Sequence, residues 1–143
     1  MTDYKKYAER HAPKSPLLKN CARAFLSGGA VCAAGEGIKD IYSALGMEKD
    51  DASLLCSVTL IAVAVVLTGF GVFDSLARVA GAGVLVPITG FANAVAAPAI
   101  DSRTEGYVLG VGAKIFSVAG PVILYGVTSG AVYGVIYLII KAL

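Results

Sequence analysis

Residues 78–121 read RVAGAGVLVPITGFANAVAAPAIDSRTEGYVLGVGAKIFSVAGP, a stretch apolar enough for a bilayer. Helix-interrupting residues recur along it, namely Pro87, Gly90, Pro98, Gly106, Gly120 and Pro121. In hydrocarbon, every backbone N–H or C=O group that such a break leaves without a partner is costly, so broken helices at membrane depth pack inside protein or line a polar cavity. We therefore expect this stretch to be broken or re-entrant around Pro87–Gly90 and Gly106–Pro121, and to hold any solute pathway.

The composition is that of a small helical membrane protein. Of the 143 residues, 57% are hydrophobic and only 15% are charged, and the mean hydropathy is +0.75. A soluble domain of this length cannot bury so much apolar sequence. The 17 glycines suit close helix packing in a membrane. We predict an all-α, polytopic protein with residues 1–16 as a cytoplasmic or interfacial segment and residues 17–143 as one integral membrane domain.

The charge is unevenly distributed along the chain. Residues 1–23 carry six Lys or Arg against Asp3 and Glu9, which gives +4, and the segment 24–51 sums to −3. A basic segment before the first span predicts a cytoplasmic N-terminus. The basic residues form no extended face, which argues against nucleic-acid binding.

Enzymatic chemistry finds no support in the sequence. There is no nucleophile elbow, no Walker A motif and no metal-spaced His/Cys set, and the single histidine, His11, lies in the N-terminal tail. Cys21, Cys32 and Cys56 form no CxxC pair, and we interpret them as small buried hydrophobic residues. We expect a protein that is not an enzyme and has neither a cofactor nor a metal site.

Four membrane crossings are predicted from the length of the apolar runs, at about residues 20–42, 54–73, 78–100 and 119–140. The run from Leu54 to Phe73 is the clearest, because it contains no charge. Asp74 and Arg78 follow at a helical spacing that allows an ion pair. The third crossing should be broken near Pro87–Gly90, and residues 106–118 should form a half-helix or re-entrant piece. Both termini then lie on the cytoplasmic side, whereas a fifth crossing through 106–118 would place the C-terminus outside.

The last span carries two overlapping GxxxG patterns, formed by Gly126, Gly130 and Gly134. Glycines spaced by four lie on one helix face and let another helix approach closely. We predict a helix–helix contact along that face.

Four polar side chains are candidates for a solute pathway: Lys114, Asn93, Thr89 and Glu36. A lysine within the membrane faces a cavity or a partner, or else snorkels to water, and both interpretations of Lys114 stay open. Asn93 and Thr89 follow the predicted break, where they could satisfy freed backbone groups or meet a solute carboxylate. Glu36 could pair with Lys114 or Arg23, lie where a cation passes, or sit hydrated at the interface.

The charged segment Asp101–Glu105 also has two interpretations. We predict a solvated loop for Asp101, Arg103 and Glu105. The alternative is a gate, or a contact for a partner subunit.

Three stretches resemble a known family: SPLLKNCARAFLSGGAVC (15–32), LTGFGVFD (67–74) and, most specifically, the stretch 78–126 with its VPITGFAN and APAI core. They look like the stage V sporulation protein AC family, membrane components of the SpoVA machinery of endospore-forming bacteria that are related to the AE-type subunits. The resemblance covers nearly the whole chain apart from the first dozen residues and the GMEKDD turn (46–51). Ala97 stands where we expect many relatives to carry Ser, a small change.

This resemblance implies a function that composition and spacing do not show. The family is expected to move dipicolinic acid, with Ca2+, across the inner membrane of the forespore and spore during sporulation and germination, through a channel or transporter that responds to membrane tension. It implies an AE-type membrane subunit and a soluble, AD-type dipicolinate-binding subunit as partners. The alternative is a structural or assembly subunit that docks the soluble partner while another chain forms the pore.

Overall fold

The chain is helical throughout the part that the computed structural model describes, which is Tyr7 and residues 16–142. The predicted interfacial segment 1–16 therefore lies outside the described residues, apart from Tyr7 and Pro16. In chain order, the α-helices are α1 (Leu17–Ala44), α2 (Lys49–Gly69), α3 (Val72–Ala80), α4 (Ala82–Leu85), α5 (Ile88–Asp101) and α6 (Ala113–Ala142). A 3-10 turn (Ser102–Glu105) and a π-helical segment (Tyr107–Gly112) connect α5 to α6. The prediction of an all-α fold is confirmed.

Helices α1 and α2 form an antiparallel hairpin around a short turn at Leu45–Glu48. The helices approach closely at Gly35, where the Sγ atom of Cys56 donates to the Gly35 carbonyl oxygen over 3.1 Å. A second contact joins the hydroxyl groups of Tyr42 and Thr59, which lie 2.8 Å apart. Tyr42 reaches past its own level because helical side chains tilt toward the N-terminus. Polar contacts thus fix the hairpin register.

The chain after α2 is broken twice, at Gly81 and at Pro87. Gly81 ends α3 with φ +63° and ψ −139°, a backbone conformation that favours glycine. Pro87 precedes α5 with an extended ψ of 175°. The helices α3, α4 and α5 have 9, 4 and 14 residues, so none reaches the roughly 20 residues that a straight crossing requires. The predicted break near Pro87–Gly90 is confirmed.

Helix α4 packs directly on α1 through two glycines. A Cβ atom on Gly83 would overlap the Ser27 hydroxyl oxygen and the Ala24 carbonyl oxygen, and one on Gly28 would lie 3.5 Å from the Gly83 Cα atom. The Ser27 hydroxyl also donates to the carbonyl oxygen of Ala80, 2.9 Å away. It thereby satisfies a backbone group at the end of α3, where the helix stops.

Helix α5 continues through Pro98, and α6 continues through Gly120 and Pro121. The expectation of helix breaks at these three residues is therefore wrong. Proline removes one backbone donor and bends a helix, but its φ of about −65° is itself helical, and membrane helices tolerate it where neighbouring groups satisfy the freed carbonyl. The break in this region lies earlier, at Gly106, whose φ is +96°.

Two helices among the described residues are long and apolar enough to cross a membrane: Lys49–Gly69, and the continuous run Tyr107–Lys141. The first helix, α1, has 28 residues and is long enough to cross a membrane, but it contains charged residues along its length. A small core formed by Ala64, Phe73, Ala80, Val84 and Ala92 holds α2 to the broken segment. In contrast, α6 is exposed along nearly all of its length after Gly120.

Candidate functional site

Asn93 and Thr68 join α5 to α2 inside the bundle. The Thr68 hydroxyl lies 2.8 Å from Asn93 Oδ1 and 2.7 Å from the carbonyl oxygen of Ala64, and it shares one proton between these acceptors. Both side chains are half-buried. The predicted role of Asn93 in satisfying the backbone near Pro87 is not what the structure shows, because the amide oxygen is directed to a neighbouring helix instead.

Thr89 takes the role that we considered for both residues. It is buried, and its hydroxyl donates to the carbonyl oxygen of Val84 over 3.1 Å, across the break at Pro87. The N–H group of Gly90 donates to the Pro87 carbonyl oxygen at 2.9 Å. The interruption is therefore closed by local hydrogen bonds, and Thr89 is one of its structural components.

Glu36 and Lys114 lie on the outside of the bundle. Glu36 pairs with Lys39 at 3.3 Å, so the alternatives that paired it with Lys114 or Arg23 are not realised within this chain. Lys114 is exposed in the first turn of α6, next to the π-helical segment. Asp74 and Arg78 form the predicted ion pair at 2.7 Å.

The four predicted pathway residues do not converge on one site. Thr89 and Asn93 are one turn apart on α5, whereas Glu36 belongs to α1 and Lys114 to α6. The side chains of Thr89, Asn93 and Glu36 already form hydrogen bonds or an ion pair within the same chain. A pathway that used these residues would require side chains or surfaces from another chain.

A groove of about 550 Å³ lies between α2, α5 and the start of α6. Its walls are almost entirely apolar, and its polar side chains are Arg103 and Tyr107 near the turn. The remaining lining is Ile61, Val65, Phe91, Ala92, Val95, Ala96, Ala99, Ile100, Val111 and Ile115. The sequence did not predict this groove. Its walls come from α2, α5 and the start of α6, and only the folded structure shows that these segments lie side by side.

No cluster of His, Cys, Asp or Glu among the residues with described positions could hold a metal ion. The cysteines are separate: Cys56 is buried as predicted, but Cys21 and Cys32 are exposed, so the expectation of burial is wrong for these two.

These features define a class: a helical membrane protein in which a long hairpin supports a broken helical segment. A comparison with family models matches residues 20–136 to the SpoVAC/SpoVAEB sporulation membrane protein family. The chain is also 41% identical over 135 residues to Stage V sporulation protein AC of Bacillus subtilis (strain 168), covering 94% of this chain and 90% of that protein. The chain belongs to the SpoVAC/SpoVAEB sporulation membrane protein family. No solved structure matches it.

Proposed function

We propose that this chain is a membrane subunit of a SpoVA channel or transporter that carries dipicolinic acid, with Ca2+, across the inner membrane of the forespore and spore. Membership of a sporulation membrane protein family carries the proposal. The broken segment α3–α5 supports it, because interrupted helices in a membrane bundle commonly line solute pathways. Transport by such a protein needs a passage that opens, and no chemical step.

The passage forms between chains in this proposal. Within the chain, Asn93 and Thr89 are engaged in hydrogen bonds, and the groove beside α5 is apolar. Partners complete the passage: an AE-type membrane subunit and a soluble, AD-type dipicolinate-binding subunit. Helix α6 offers a long exposed surface for the membrane partner.

Efflux from vesicles tests the proposal directly. The complex is reconstituted in vesicles that contain dipicolinate, and external terbium luminescence reports its release. We expect release from vesicles with the full complex and only background release when this chain is omitted. Equal release with and without this chain, at equal amounts of the partner subunits, contradicts the proposal.

A structural or assembly subunit is the second candidate, and the bare surface of α6 favours it. Lys114→Ala and Asn93→Ala separate the candidates, with Lys141→Ala as the control that removes a charge from the far end of the same helix. A change in efflux with unchanged complex recovery supports the passage role. Loss of complex recovery, with normal efflux in the complexes that do form, supports the assembly role.

A further inference from the structure

The depth of the turn after α5 follows from how α5 packs on α2. Asn93 lies beside Thr68, and farther along α5, Ala99 and Ile100 share the groove with Ile61. The two helices are therefore antiparallel. At equal rise per residue, the eight residues from Asn93 to Asp101 bring the end of α5 to about the level of residue 60 in α2.

That level is the middle of the membrane span. The uncharged run of α2 and its continuation extends from Ala52 to Phe73, between Asp51 and Asp74. Ile61 is near the centre of this run, and Arg103 lines the same groove as Ile61. With α2 crossing the membrane, α5 ends near the bilayer midplane, and the turn Ser102–Glu105 that follows it lies within the hydrocarbon layer, on the side of Asp51.

The last residue of α5 and the turn together then carry three charged side chains at a depth where charge is expensive. Asp101, Arg103 and Glu105 are exposed, and none of them takes part in an ion pair among the described residues. Charged residues inside a membrane face a water-filled cavity or a partner. Within the described part of the chain these side chains stay exposed, so water or another chain must meet them.

The backbone of the turn is held firmly. Gly106 reverses the chain with φ +96°, and a Cβ atom on the buried Gly110 would overlap the carbonyl oxygen of Ser102. Tyr107, Val111 and Ile115 return along the groove that α5 lines. The turn is thus the fixed tip of a hairpin between α5 and the segment that leads into α6.

We propose that the turn Ser102–Glu105 projects into a water-filled passage inside the membrane and contacts the solute there. Arg103 offers a guanidinium group suited to a carboxylate, and Asp101 and Glu105 offer oxygen atoms suited to a cation. The passing solute would combine a carboxylate with a divalent cation. The claim that water reaches the turn does not depend on the proposed function, whereas the claim that the turn contacts the solute rests on it.

Cysteine labelling from water tests the location. The background chain carries Cys21→Ser, Cys32→Ser and Cys56→Ser, the last of which retains a donor for the Gly35 carbonyl. Thr104→Cys probes the turn, and Val58→Cys, exposed at about the same depth on α2, is the matched control. In the reconstituted complex, a charged, membrane-impermeant thiol reagent should modify Thr104→Cys at least about tenfold faster than Val58→Cys.

Two outcomes overturn the location. Equal, slow labelling at both positions places the turn in lipid or packed protein. Equal, fast labelling places α2 outside the hydrocarbon and removes the argument from depth. Asp50→Cys, before the uncharged run, gives the rate for full exposure to water.

Efflux measurements test the contact with solute. Arg103→Gln should lower dipicolinate efflux about tenfold, Arg103→Lys should restore part of it, and complex recovery should not change. Efflux unaffected by Arg103→Gln, with Thr104→Cys labelled from water, overturns the contact but leaves the water-filled passage. If the complex shows no efflux at all, the proposed function fails, and the labelling still decides whether water reaches the turn.

Discussion

Gly83 shows how little space separates the helices at their closest approach. A methyl group there meets the Ser27 hydroxyl and the backbone of Ala24 and Gly28, and backbone atoms cannot move aside without shifting α1. We predict that Gly83→Ala lowers the free energy of unfolding by about 1–3 kcal/mol, as overpacking does. Thermal unfolding of the purified protein in detergent measures the change.

Gly29→Ala is the control for that substitution. Nothing lies within 4 Å of a Cβ atom at Gly29 in the middle of α1, so the extra methyl group should be neutral or stabilise the helix by up to about 1 kcal/mol. Equal destabilisation by both substitutions would show that the α1–α4 contact is not the cause.

The bond between Thr68 and Asn93 should have a measurable coupling energy. In a double-mutant cycle with Thr68→Val and Asn93→Leu, we expect about 0.5–1.5 kcal/mol of coupling, the range for interhelical hydrogen bonds in membranes. Unfolding in detergent gives the four free energies. Thr68→Ser keeps the hydroxyl and should retain the coupling, and additive effects of the two substitutions would contradict the contact.

Residue roles were predictable only where the partner is close in sequence. The spacing of Asp74 and Arg78 was enough to predict their ion pair, which forms at 2.7 Å. Asn93 was different, because its partner Thr68 is 25 residues earlier. No local pattern determines which residue of α2 faces α5, so the sequence could not identify this pair.

At the scale of the helix, the break before α5 depends on Gly90. A Cβ atom at Gly90 would overlap the carbonyl oxygen of Leu85, because the chain turns sharply at Pro87 and brings these two residues together. We predict that Gly90→Ala destabilises the protein by about 1–3 kcal/mol. Gly126→Ala, with nothing within 4 Å of its Cβ atom, should be neutral or stabilising in the isolated chain, and the same detergent unfolding assay compares the two.

Some helices could be predicted from the sequence, but not all of the helix breaks could. The absence of charge from Leu54 to Phe73 predicted the second span, and α2 covers Lys49–Gly69. The break expected at Gly120–Pro121 does not occur. A proline in the sequence shows only that one backbone N–H is missing. Whether the helix continues depends on whether neighbouring groups satisfy the freed carbonyl, and the local sequence does not identify those neighbours.

For the whole molecule, the exposed area indicates that other molecules cover this chain. Its accessible surface is 10968 Å², compared with about 6,900 Å² for a compact protein of this mass. Large hydrophobic side chains are exposed along α6 from Val122 to Ile140. Lipid and partner chains are the coverings consistent with a membrane protein family.

We expect the face of α6 that carries Gly126, Gly130 and Gly134 to pack against another chain. No atom of the described residues lies within 4 Å of a Cβ atom at these glycines, so the predicted helix contact is not formed among them and stays a prediction. In the cysteine-free background, Gly130→Cys should cross-link to a partner chain in the reconstituted complex. Val132→Cys, on the opposite face, is the control, and equal cross-linking at both positions would contradict a specific interface.

The exposed part of α6 also determines how far this chain reaches beyond its own helical bundle. From Pro121 to Lys141 the helix extends about 31 Å beyond the groove that holds its beginning. That reach is about equal to the thickness of the hydrocarbon layer. A helix of this length lets one chain contact a neighbour whose own helical bundle is not adjacent. The arrangement of subunits around a passage therefore depends on the length of α6 as well as on the complementarity of the subunit surfaces.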